Sequence, residues 1–452
     1  MKKFIKTLRN IWSIPELRKR ILFTLFILAV YRLGAHVVLP GVVPSVLDAA
    51  VGQRSGTDIL GLINIFSGGA FNNASIFALG IMPYITASII IQLLGFVVPY
   101  FQKLQQQEGE SGRKKINQYT RFLTLLITLV QGAAYIGYIQ SLQAVDPDVS
   151  QSLFWISSII ILATGTLFAM WLGEKITDRG IGNGISLLIM VGIIASLPIA
   201  FASEFVLRAT DNAWFTLILE IAGLFIVTML TLMAVQGIRR IPIQFAKRMI
   251  GRSSANIPQT GARDYIPLKV NAAGVMPIIF AQAIMFLPVT LSSKLGGGNN
   301  AFIASLGDWK SVPYNIIFFL LVVLFTYVYT ALLVNPQQYA EYLKRQNAFI
   351  PGIKPGKSTE DYIDTLTTRV TLPGSIFLGF ISILPAIVGR MGVNDAFAIF
   401  FGGTSLLIMV GVALDTLQQI ESYLLRRKYD GLVKSGKIKG RSSGMQSIGA
   451  GI

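Results

Sequence analysis

Few side chains in this sequence could perform catalytic chemistry. The chain contains no cysteine and a single histidine, His36, which excludes disulfides, thiol catalysis and a histidine-rich metal site. The glycine cluster from Gly180 to Gly184 lacks the spacing of a dinucleotide-binding loop, and we expect a tight connection between two helices there. No set of paired carboxylates, nucleophile and base, or phosphate loop is present. The sequence therefore predicts a protein that is not an enzyme and that binds no cofactor or metal.

Ionisable side chains inside long apolar segments are the remaining candidates, because charge is costly in hydrocarbon and often marks an ion pathway. Arg32 and Glu220 are the clear examples. A coupled transporter usually needs a cluster of such groups. We expect instead that Arg32 extends outward to the interface, that Glu220 faces a helix or a small partner subunit, and that His36 packs at the interface without a function.

The elements that carry these residues are apolar blocks of about 20 residues, long enough to cross a bilayer as helices. The chain is 53% hydrophobic and only 13% charged, whereas soluble proteins contain about 25% charged residues. Backbone groups in lipid are satisfied within a helix, so we predict an all-α integral membrane protein with ten transmembrane helices. Spans one to ten are expected at about residues 21–40, 73–94, 118–140, 152–173, 181–200, 213–235, 271–291, 313–334, 371–389 and 396–415.

The distribution of basic residues predicts the orientation. Of the 39 Lys and Arg residues, this arrangement leaves the following on one side: Arg32, Arg54, Arg208, Lys294, Lys310 and Arg390. The other side, rich in basic residues, is expected to be cytoplasmic and carries both termini. Two long basic connections, at about 236–270 and 335–370, are expected to project from the membrane on that side.

A short sequence repeat predicts two related halves. Span two contains Gly80-Ile81-Met82-Pro83, and span seven contains Gly274-Val275-Met276-Pro277 in the same register. Each motif lies in the second of five spans, and because five is odd the halves would have opposite orientations. The alternative is a chance similarity between two helices that contain proline. The predicted units are a cytoplasmic segment 1–20, halves at 21–200 and 201–415, and a cytoplasmic tail 416–452.

The segment at about 60–72 is moderately apolar, contains glycine and is too short to span. Irregular backbone at membrane depth is tolerated only where protein or water surrounds it. The pattern is therefore compatible with a segment that folds back into a cavity, and equally with an interfacial helix on the outer surface.

Several stretches of the chain resemble the bacterial SecY family. They are Asn64 to Ala70, Ala74 to Leu94, Glu108 to Arg113, Met170 to Glu174, Arg179 to Ser186, Pro267 to Asn271 and Phe401 to Ile408. The resemblance extends over essentially the whole chain. It implies ten helices in two inverted five-helix halves around a central hourglass pore, with a ring of isoleucines at its waist and a short plug helix outside the ring.

The resemblance also assigns roles to individual residues. The implied pore ring is Ile81, Ile85, Ile185, Ile189, Ile279 and Ile408. The implied plug includes Ile63, Asn64, Phe66, Ser67, Gly68 and Gly69. The implied lateral gate lies between spans two and seven, with Thr86, Gln92 and Asn271, whose mutual contacts would favour closure. The implied docking residues are Arg239, Arg240, Lys247, Arg248 and Lys354, the last standing where the family commonly has arginine.

The function that the resemblance implies is a protein-conducting channel in the inner (plasma) membrane. Such a channel translocates unfolded secretory polypeptides and releases transmembrane segments laterally into the bilayer. The implied partners are the SecE and SecG subunits, the SecA motor ATPase, the ribosome, signal sequences and membrane lipids. Two other functions agree with parts of the sequence. A secondary transporter is supported by the repeat together with Arg32 and Glu220, and a membrane scaffold is supported by the basic connections.

Overall fold

A computed structural model describes residues 12–47, 64, 67–106, 108–245, 263–282, 284–285, 305 and 308–434. The helices are α1 Pro15–Gly34, α2 Met82–Val97, α3 Pro99–Gln106, α4 Gly109–Ser141, α5 Gln151–Arg179, α6 Gly184–Thr210, α7 Trp214–Gln236, α8 Val312–Leu333, α9 Pro336–Arg345, α10 Lys357–Arg390, α11 Asp395–Ala398 and α12 Gly403–Lys434. The strands are β1 Ile238–Phe245, β2 Arg263–Lys269 and β3 Ala348–Phe349. Predicted spans one to six correspond to α1, α2, α4, α5, α6 and α7, and spans eight to ten correspond to α8, α10 and α12.

The long helices have the length and surface of membrane spans. Within the described ranges, seven helices are long and apolar enough to cross a bilayer, and Met82–Gly95 is a shorter apolar helix. Large apolar side chains on α7 point outward, with Phe215 and Phe225 78% and 67% exposed. A surface of this kind would be unstable in water and is stable against lipid tails.

Spans two and seven begin later than predicted. Residues 76–81 form turns and the helix starts at Met82, while residues 271–275 form turns and helical residues follow at 276–282 and 284–285. Gly80 and Gly274 both adopt a left-handed backbone, with φ of +53° and +64°, which glycine tolerates without steric cost. The proline three residues after each glycine favours the first turn of a helix, so the repeated motif has the same conformation in both halves.

Two helices extend beyond the predicted boundaries. Helix α6 continues to Thr210, so the predicted division between halves at residue 200 falls inside it. Helix α12 continues to Lys434, so the first part of the predicted tail is helical. The hydropathy pattern misses these turns because charged side chains, such as Arg208 in α6 and Glu421 in α12, interrupt the apolar blocks.

The two long connections predicted to project form a small subdomain at one end of the helices. Strand β1 pairs antiparallel with β2 and with β3, in the order β2-β1-β3. A separate apolar core fixes this sheet against α9 and the first turns of α10; it contains Ile241, Ile243, Leu268, Leu343, Ala348, Ile350 and Ile363. We call this end of the molecule the sheet side. The C-terminal ends of α6 and α10 and the N-terminal end of α8 lie on the opposite side.

Candidate functional site

The six isoleucines proposed for the ring come from four separate elements and meet in one apolar cluster. Ile81, Ile189 and Ile408 are buried members of this cluster. Ile85, Ile185 and Ile279 are partly buried and pack against it. The structure thus brings together residues from both predicted halves, as a ring requires. Because the same cluster contains ordinary core residues, the role of these six as a pore ring stays a prediction.

The junction between α5 and α6 positions two of these isoleucines. Gly184 begins α6, and a Cβ there would lie 2.0 Å from the carbonyl oxygen of Gly173 in α5. The backbone N–H of Gly184 donates to the Thr177 hydroxyl at 2.9 Å. The two helices therefore cross in direct backbone contact, which fixes the direction of the first turns of α6 and of Ile185 and Ile189. The tight connection predicted from the glycine cluster is confirmed.

The described part of the proposed plug is a compact, locally bonded turn. The Ser67 hydroxyl donates to the carbonyl of Asn64 at 3.0 Å and accepts from the N–H of Phe71 at 3.0 Å. The side-chain oxygen of Asn64 accepts from the N–H of Asn72 at 3.0 Å. Ser67 is 2% exposed. Ile63 and Phe66 lie outside the described residues.

Three elements hold this turn inside the protein. Arg32 of α1 donates from Nη1 to the carbonyl of Gly68 at 2.7 Å, and Tyr135 of α4 donates its hydroxyl to the carbonyl of Phe71 at 2.6 Å. A Cβ on Gly68 would lie 2.7 Å from the Cα of Gly192 in α6. Of the two sequence-based alternatives, the one that folds back into the protein fits residues 64 and 67–72, the described part of this segment. The prediction that Arg32 extends outward to the interface is wrong, because its guanidinium binds this inner carbonyl.

The three proposed gate residues do not bond to one another among the described contacts. Thr86 donates to the carbonyl of Met82 in its own helix at 3.0 Å. Gln92 accepts at Oε1 from the hydroxyl of Tyr329 in α8 at 3.3 Å, so α2 is linked to α8. Asn271 is buried, and its Oδ1 has no described hydrogen-bond partner. The expected mutual contacts are not found, and Tyr329 is a contact that sequence reasoning missed.

A buried ionic group on the opposite side was also missed. Arg208 lies 2.7 Å from Glu204 and 2.7 Å from Glu220 and donates to the carbonyl of Gly392 at 2.8 Å. Glu204 also accepts from the N–H of Asn394 at 2.8 Å. Glu220 does face a helix, as predicted. The predicted end of span five at residue 200 places Glu204 and Arg208 in a loop. An ion pair in an exposed loop is common, so these residues did not indicate a buried ionic group.

The proposed docking residues lie on the subdomain of the sheet side. Arg239 and Arg240 are exposed on β1, and the guanidinium of Arg240 lies 4.9 Å from the ring centroid of Tyr265 on β2. Lys354 is exposed in the loop before α10. Lys247 and Arg248 lie outside the described residues. Within the described ranges no cluster of His, Cys, Asp and Glu could hold a metal ion.

Comparison with known proteins places this geometry in a family. The model of the SecY family matches residues 75–417. The protein translocase subunit SecY of Chlamydia muridarum is 39% identical to this chain, with 96% of this chain and 99% of that protein covered.

Two solved structures share the fold. One, described as a protein-conducting channel, has a TM-score of 0.62 at 18% identity and covers 92% of this chain and 94% of its own. The other, Sec61 in the canine ribosome-channel complex, has a TM-score of 0.58 at 16% identity with the same coverage. Because the SecY family model matches most of the chain and a SecY relative matches nearly all of it at 39% identity, this chain belongs to the SecY family.

Proposed function

We propose that this multi-pass membrane protein is a channel that conducts unfolded polypeptides across the membrane and releases apolar segments sideways into the bilayer. The observation that carries the proposal is the position of the buried turn at Ser67 to Asn72. Gly68 contacts Gly192, which lies about one helical turn beyond Ile189 along α6. The turn therefore lies next to the isoleucine cluster, on its opposite-side face, where it would block a path between the halves. As a member of its family the protein is a channel subunit and not an enzyme.

An isoleucine ring suits a substrate that includes every residue type. A charged ring would bind some side chains and repel others, whereas apolar side chains form no hydrogen bonds and can part around bulky groups. When no chain is present, an apolar constriction excludes water and ions by fit and dewetting. The plug adds a second barrier, held by hydrogen bonds that a translocating chain can displace.

The lateral gate would open between α2 and the helical residues at 276–282 and 284–285. The contact between Gln92 and Tyr329 joins α2 to α8, so it would have to break when the halves separate. An apolar segment of a signal sequence that enters this seam competes with these few polar contacts and shifts the population toward the open state.

The charge on the sheet side supports a proposal for the orientation and the partners. We infer that the sheet side and both termini are cytoplasmic in the inner (plasma) membrane, because the basic connections lie there. Exposed Arg239, Arg240 and Lys354 form a surface to which anionic ribosomal RNA or an acidic face of the SecA motor would bind. SecE and SecG subunits, signal sequences and membrane lipids complete the proposed set of partners.

A site-specific photo-crosslinker tests the polypeptide path directly. It would replace Ile189 in the cluster, and in a matched variant Phe225, which is 67% exposed on the outside of α7. With a stalled secretory chain bound, we expect a crosslink from position 189 and none from 225. If the chain is bound and neither position crosslinks, the proposed path is wrong and a solute transporter becomes the better explanation.

A further inference from the structure

An outward-facing groove lies between α8 and α10, close to their ends on the opposite side. Its volume is about 410 Å³. It is lined by residues of these two helices, among them Asn315, Ile316, Leu320, Ile383, Ile387 and Arg390. The lining is apolar along most of its length and polar at one end, where Asn315 and Arg390 lie.

The groove opens toward the lipid. Ile316 and Leu320 are 55% and 59% exposed, and Ile387 on the facing helix is 42% exposed. Within the described ranges no other element lines it. In a bilayer these exposed apolar side chains would face the hydrocarbon.

The length of the groove corresponds to one leaflet. From residue 312 to residue 320, α8 rises by about 12 Å, and the hydrocarbon of one leaflet is about 15 Å thick. A spanning helix is about 10–12 Å across and about 30 Å long, which is far larger than the groove. One acyl chain fits both the length and the volume.

The polar end of the groove contains a positively charged side chain, Arg390, with N–H donors left to bind a ligand. Arg390 donates one hydrogen bond to the carbonyl of Lys310 and has no carboxylate partner in the described part of the chain, although a guanidinium offers five N–H donors. The nearby Lys310 is paired with Asp395, and the Asp308 carboxylate accepts from the backbone N–H of Lys310. Asn315 uses its amide to bind the carbonyls of Trp309 and Ser311 at 2.9 and 2.7 Å, which fixes the end of the groove. Arg390 is thus the charged side chain in the lining at the polar end of the groove.

We propose that this groove binds a phospholipid with an anionic headgroup, one acyl chain lying along α8 and the phosphate bound by Arg390. Arginine suits this role because its planar fork can bind a phosphate with two N–H groups. In a bilayer the phosphate of a lipid lies at the membrane interface. This is the level at which the groove changes from apolar to polar. The proposal requires only that the protein is embedded in a bilayer, and it is independent of polypeptide conduction.

Two pairs of matched variants test the proposal. Ile316→Trp fills the groove, while Leu324→Trp adds the same bulk two turns deeper on α8 at a side chain that is equally exposed, 56% against 55%. Arg390→Gln removes the charge, while Arg390→Lys keeps it. The full-length protein is placed in nanodiscs with trace photoactivatable phosphatidylglycerol or phosphatidylcholine, and labelled peptides are quantified by mass spectrometry.

We expect phosphatidylglycerol to label the peptides that contain residues 312–320 and 383–390. Ile316→Trp should lower this labelling at least fivefold and Leu324→Trp should leave it unchanged. Arg390→Gln should lower labelling by phosphatidylglycerol to the level of phosphatidylcholine, and Arg390→Lys should restore most of it. Equal labelling in Ile316→Trp and Leu324→Trp would overturn the groove as a binding site, and equal labelling by both lipids in the unmodified protein would overturn the role of Arg390.

Discussion

Arg32 and Gly68 are joined by a hydrogen bond of 2.7 Å from the guanidinium to the backbone carbonyl. The two residues are 36 positions apart, and the bond connects the first membrane helix to the turn that lies beside the isoleucine cluster. A charged donor in a site shielded from bulk water makes this a strong single contact. It makes the intramembrane arginine a structural restraint on the proposed plug.

Replacement of Arg32 by glutamine should weaken the closed state. A hydrogen bond to a charged group contributes roughly 1.5–3 kcal/mol, so the open population should rise roughly tenfold or more. The measurement is ion leakage through purified protein in planar bilayers. Arg20 offers a matched control, because it also donates from α1 to a backbone carbonyl, that of Gly180 at 3.2 Å, but does not touch the plug. Leakage that is equal in Arg20→Gln and Arg32→Gln would contradict the assigned role.

Gly68→Ala should displace the plug by steric conflict. Its added Cβ would lie 2.7 Å from the Cα of Gly192, and the residue has a φ of +67°. Gly69→Ala is the control, since Gly69 shares the left-handed backbone, with φ of +91°, while its nearest atom lies at 3.9 Å. Both variants carry a backbone strain of about 1–2 kcal/mol, so greater leakage from Gly68→Ala reports the two close contacts of its Cβ, with Nη1 of Arg32 at 2.6 Å and with Cα of Gly192 at 2.7 Å. Similar leakage from the two would show that strain alone matters.

Glu204→Gln should destabilise the folded protein. Glu204 is fully buried and bonds both Arg208 and the N–H of Asn394, so its neutralisation leaves Arg208 with one carboxylate fewer. Arg208 keeps Glu220 as its second carboxylate partner, so the expected cost is that of one charge-assisted contact, about 1.5–3 kcal/mol. Thermal unfolding in detergent measures the effect.

Glu341→Gln is the corresponding control at an exposed position of α9. Glu341 and Arg345 have the same spacing in sequence but lie 3.7 Å apart with side chains 56% and 82% exposed. Exposed pairs of this kind contribute about 0–1 kcal/mol. The buried network would be unimportant if both variants unfolded at the same temperature.

Charge reversal on the subdomain should weaken the binding of the partners proposed for the sheet side. The double variant Arg239→Glu and Lys354→Glu changes two exposed side chains, and we expect ribosome binding at least roughly tenfold weaker, with less dependence on salt. Lys114→Glu, at a side chain 75% exposed on α4, controls for a general change of charge on the same side. Cosedimentation with empty ribosomes over a range of salt gives the affinities. Unchanged binding by the double variant would remove these residues from the docking surface.

Local sequence was sufficient for the features that depend on local physics. Apolar blocks long enough for a bilayer predicted the spans, because each must satisfy its own backbone as a helix. The repeated Gly-x-Met-Pro motif predicted related positions in the two halves, and the equal left-handed conformation of Gly80 and Gly274 follows from the glycine itself. The identity of individual ring and docking residues came from resemblance to a family, since isoleucine and arginine at these positions have no distinctive local pattern.

Tertiary structure decided which distant groups meet. Hydropathy placed Arg32 and Glu220 inside spans but could not show that one binds Gly68 and the other binds Arg208. It also extended span two through residues 76–81, whose turns lie inside the protein and not in lipid. A charge or an irregular backbone in a membrane is stable only when a partner compensates it, and these partners are distant in sequence. Composition and periodicity therefore determined the class of protein and its spans, while helix packing determined where each polar group is satisfied.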